Sequence, residues 1–66
     1  MSEYLKQFYK ELLNQSVKSQ KYYEKSIREM EENNLIGYDV YNIAIESNRL
    51  ALERIEWCQA KLFDLS

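Results

Sequence analysis

The apolar residues of the chain fall on two long helical periods separated by one short break. In the first half, Leu5, Phe8, Leu12, Tyr23, Ile27 and Met30 lie within about 100° of one another when wound as a helix. In the second, Tyr41, Ala44, Ile45, Asn48, Ala51, Leu52, Ile55, Cys58, Leu62 and Leu65 form one arc of roughly 160°. Proline is absent and the single glycine is Gly37, so nothing breaks either period from within. The pattern predicts an all-α, single-domain chain with a helix over about 3–33, a turn at about 34–38 and a helix over about 40–65. Ser2 is the expected cap of the first helix and Asp39 of the second. Asn33, Asn34 and Gly37 tolerate the left-handed backbone that ends a helix. So short a connection folds the helices back on each other as an antiparallel hairpin. Folding about residue 36 sets Tyr23 near Ala51 and Leu52, Ile27 near Ile45, and Leu12 near Leu62.

Two features go beyond a plain hairpin. The middle of the first helix is polar on its inner side, at Ser16, Ser19 and Gln20. Small serines there make room for bulk from Ile55 and Trp57, or else form a polar layer with Asn48 that sets register. The second feature is a stripe of Ile43, Leu50 and Trp57 at seven-residue intervals, turned about 120–140° from the centre of the main arc. One partner helix cannot cover both lines. Arg54 and Lys61 lie between them, with aliphatic stems long enough to shield the flank.

Tryptophan concentrates at the energetic centres of interfaces, and tyrosine suits their wet edges. The expected protein interface is therefore Ile43, Leu50 and Trp57 as anchors, with Tyr22 and Tyr38 as rim contacts. Tyr9 is a further candidate for contact with another chain, whereas Tyr23 and Tyr41 are expected to line the thin core.

Length strengthens that expectation. Sixty-six residues and 8.0 kDa allow one small domain. Burying about 60% of the unfolded surface stabilises such a chain by roughly 105 kcal/mol, against roughly 100 kcal/mol of conformational entropy. The near-balance is usually tipped by disulfides, a metal or a partner. One cysteine and no histidine leave the partner. A homodimer forming a four-helix bundle, or a hairpin completed by a heterologous protein, is the expected assembly.

Candidate chemistry is mostly excluded by residue type. Without histidine there is no ordinary general base at neutral pH and no triad built on one. Cys58 has no imidazole partner and reads as a buried small hydrophobe. One glycine cannot build a phosphate loop, and the acidic run Glu29, Glu31, Glu32 lacks the alternating ligands of a calcium loop. Neither catalysis, a cofactor nor a metal site is expected. No run of apolar residues is long enough to span a membrane, and Met1–Lys10 lacks the apolar core of a signal peptide, so a cytoplasmic protein is expected.

The expected function is a non-catalytic protein–protein interaction module acting as a regulator, inhibitor or adaptor. The one alternative with residues behind it is binding of RNA or DNA. Lys10, Lys18, Lys21, Lys25 and Arg28 share about an 80° sector of the first helix and form a candidate nucleic-acid stripe, interleaved with Glu11, Glu24, Glu29 and Glu32. A small dedicated chaperone would instead use the apolar stripe to shield a client helix.

Overall fold

The computed structural model describes residues 2–66. Helix α1 spans Ser2–Glu32 and helix α2 spans Asp39–Leu65, packed against each other as an antiparallel hairpin. Both are rich in good helix formers over their full lengths. The expected cap Ser2 already lies inside α1, and the residue before it is outside the described residues.

The turn is built on Asn34, whose φ of 59° is the left-handed value that stops a helix. The Asn34 N–H donates to the Glu31 carbonyl (3.2 Å) and the Leu35 N–H to the Met30 carbonyl (2.8 Å). These two crossed bonds make a Schellman motif that satisfies carbonyls at the end of α1. Leu35 and Met30, the two positions where such a stop usually carries apolar side chains, line one hollow beside it. Gly37 does not take the left-handed role its residue type allowed: its φ is not positive. Asp39 is not the cap of α2 either. Tyr38 occupies that position with extended backbone (φ −96°, ψ 150°) and no side-chain cap. Asp39 instead begins the first turn, where a carboxylate meets the positive end of the helix dipole.

The core is a line of small side chains. Among the described residues, Ser16 on α1 and Ala44, Ala51 and Cys58 on α2 are the buried ones. The three on α2 repeat every seven residues, so they stay in one column facing α1. Large apolar residues expected in the core, among them Leu5, Phe8, Ile45 and Leu52, remain exposed. Two rods touch along one line, so a broad arc keeps its centre covered and its edges wet. The polar middle of α1 is satisfied locally: the Ser16 hydroxyl donates to the Leu12 carbonyl (2.7 Å). Half-buried Asn48 accepts a bond from Gln20 Nε2 across the hairpin at 3.3 Å.

The result is a thin rod of 48 × 14 × 13 Å. Its radius of gyration, 14.8 Å, compares with about 11 Å for a compact chain of this length. It exposes 5188 Å², against roughly 4,500 Å² for a compact fold of this mass. The excess of about 700 Å² is close to the ~800 Å² that one protein gives to a standard interface.

Candidate protein-interaction surface

Helix α2 carries three adjacent columns at seven-residue spacing. The middle one, Ala44–Ala51–Cys58, is covered by α1. On one side run Ile43, Leu50 and Trp57; on the other Ile45 and Leu52, ending at polar Gln59. The two sides differ in how α1 meets them.

Polar bonds bridge the Ile45 side. Gln20 reaches Asn48, and the Tyr41 hydroxyl donates to Glu31 Oε2 at 2.7 Å. That bond to Glu31 is the main cause holding the Tyr41 phenol above its ordinary pKa of 10.0, with burial and the carboxylate charge adding to it. These are the two side-chain hydrogen bonds between the helices among the described residues.

On the Ile43 side no side-chain hydrogen bond links the two helices among the described residues. Two hollows of about 160 Å³ each run along it. One is walled by Tyr22, Ser26 and Met30 of α1 and Val40 and Ile43 of α2. The other lies between Ser19 and Tyr23 of α1 and Ser47, Leu50 and Arg54 of α2. Ile43, Leu50 and Trp57 stand 61%, 44% and 46% exposed along this side. The structure thus brings Ile43 and Tyr22 to one hollow and puts Leu50 at the other.

Trp57 continues the line toward the open end of the hairpin. Its ring meets Tyr9 edge-on (centroids 5.3 Å apart), and Tyr9 in turn meets Phe8 at 5.5 Å. Lys61 Nζ sits over the indole at 5.8 Å, within cation–π range. Tyr9 is therefore a brace inside the hairpin as well as an edge of this surface. Tyr38 is exposed at the turn and lines neither hollow. Sequence periodicity did not single out Phe8, Met30 or Val40 for this side. Their apolar character assigned two of them to the core, and only the crossing of the helices shows which face they reach.

The remaining candidate residues are dispersed or already paired. Lys10, Lys18, Lys21, Lys25 and Arg28 are all exposed along α1. Lys25 pairs with Glu29 (3.9 Å) and Arg28 with Glu24 (3.5 Å), which leaves part of the stripe neutralised on its own helix. On the outer face of α2, Arg49 bridges Glu46 and Glu53. The bond from Arg49 holds the Glu46 carboxyl below its ordinary pKa of 4.5, its own charge adding to the effect, and Glu46 in turn raises the guanidinium of Arg49. Burial pushes the Cys58 thiol above 9.0, more than the nearby charge of Arg54 lowers it, so the thiolate is disfavoured. Among the described residues no three His, Cys, Asp or Glu side chains converge as metal ligands, and no helix is long and apolar enough to cross a membrane.

Comparison with known proteins gives no match: no protein-family model, no curated protein and no solved structure is significantly similar to the chain.

Proposed function

We propose that the hairpin is a non-catalytic protein–protein interaction module, acting as a regulator or adaptor by docking a helix of another chain on its Ile43–Leu50–Trp57 side. The observation that carries this reading is the asymmetry of α2's two flanks. Both flanks expose large apolar side chains, Ile45, Leu52 and Phe63 on one and Ile43, Leu50 and Trp57 on the other. The first is bridged to α1 by hydrogen bonds, while the second has no side-chain hydrogen bond to α1 among the described residues and opens into two hollows. Contiguous apolar surface of this kind on a small protein marks a binding site, and tryptophan is the residue type that most often anchors one.

Trp57 is the sole tryptophan, so its fluorescence reports on docking directly. Association that covers it is expected to shift emission to the blue. Trp57→Ala is expected to cost about 2 kcal/mol or more of association. Phe63→Ala removes an exposed ring away from this side and is expected to leave association unchanged. Equal association of the wild-type and Trp57→Ala chains overturns the reading.

A further inference from the structure

We infer that the docked helix is α2 of a second copy of this chain, paired antiparallel about a twofold axis at Leu50; this deepens, and rests on, the function proposed above. Between Asp39 and Lys61 the ridge of α2 on its open side reads Asp39, Ile43, Glu46, Leu50, Arg54, Trp57, Lys61, within about an 80° sector, and Asp64 follows beyond the paired stretch. The paired residues stand four, seven and eleven positions to either side of Leu50. Reversed about that centre, apolar meets apolar and each charge meets its opposite. Ile43 comes level with Trp57 of the second copy, Glu46 with Arg54, and Asp39 with Lys61.

A parallel pairing of the same ridges sets Asp39 on Asp39 and Arg54 on Arg54, and like charges so placed are costly. The ridge therefore selects the antiparallel orientation as well as the partner. Asp39, Arg54 and Lys61 have no ion pair within the chain among the described residues, so they are available to a neighbour. Glu46 keeps its contact with Arg49, beside the seam. The hollow at Ile43, walled by Tyr22 and Val40, lies level with the incoming Trp57. The excess surface of about 700 Å² is also near what each member of a stable dimer covers.

Two charge-reversed chains test the pairing. Arg54→Glu with Lys61→Glu makes the four paired charges all acidic; Asp39→Lys with Glu46→Lys makes them all basic. Each is expected to self-associate about 100-fold more weakly than wild type, and their equimolar mixture to regain a dimer. Circular dichroism checks that both remain helical. In a Cys58→Ala background, Leu50→Cys is expected to form an intermolecular disulfide readily. Ile43→Cys is not, because its two copies stand roughly 20 Å apart along the pair.

A wild-type dimer that survives both charge reversals, or that crosslinks through Ile43→Cys as readily as through Leu50→Cys, overturns the pairing and leaves the docking module standing. A wild-type monomer that binds another protein through Trp57 overturns the second copy alone. A monomer with no Trp57-dependent binding overturns both.

Discussion

Tyr9 braces Trp57: the two rings meet at 73° with centroids 5.3 Å apart, one from each helix. The contact ties the open end of the hairpin and holds the indole in one place on its exposed side. Edge-to-face pairs contribute about 0.5–1.5 kcal/mol beyond buried area. A double-mutant cycle with Tyr9→Leu and Trp57→Leu is expected to return a coupling in that range, read from urea midpoints. Tyr9→Leu alone is expected to shift the emission of Trp57 to the red, because the ring loses its partner and moves into water.

The core column has no room to grow. Ala51 is almost fully covered where the helices meet, so Ala51→Leu forces the rods apart and is expected to destabilise by about 1–3 kcal/mol. Ala60→Leu, on the exposed side of α2, is expected to change stability by less than about 0.5 kcal/mol. Equal effects of the two substitutions, measured by denaturant unfolding, would show that the small column is not the contact line.

At the turn, asparagine and glycine exchange their usual importance. Asn34 holds the left-handed backbone, and Asn34→Ala is expected to cost about 1 kcal/mol. Gly37 has no positive φ, and a Cβ added there meets nothing within 4 Å. Gly37→Ala is therefore expected to stabilise by about 0.4–1 kcal/mol through a less flexible unfolded chain. Thermal melting of the two variants checks both signs.

Stability is expected to fall at alkaline pH. Burial raises the Cys58 thiol above 9.0, and the bond to Glu31 raises the Tyr41 phenol above 10.0. Both groups ionise more easily in the unfolded chain, so their stabilising effect is complete below pH 9 and is lost as pH rises through the folded values. Cys58→Ala is expected to delay the onset of the decline, and Tyr41→Phe to flatten its upper part. A wild-type stability that stays level from pH 8 to 11 would contradict both assignments.

The two helices, their break and their antiparallel packing were legible because helical periodicity ran unbroken on either side of a single cluster of Asn and Gly. The line Ile43, Leu50, Trp57 was legible for a similar reason: seven-residue spacing keeps a column straight. What the wheel could not resolve was which strip of a 160° apolar arc lies between two rods. Ile45 and Leu52 share that arc with Ala44 and Ala51 but lie toward its edge, and the smaller residues near its centre are the ones that let the helices approach. The charge order of Asp39, Glu46, Arg54 and Lys61 is likewise readable in the sequence, but which face of α2 α1 leaves uncovered is not.

The most direct measurement is the thermal midpoint of the wild-type chain as a function of its concentration. A slender hairpin that depends on a second copy for cover melts at a midpoint that climbs with protomer concentration. A solitary 8.0 kDa particle that unfolds sharply at high temperature, at a midpoint indifferent to concentration, would contradict the account.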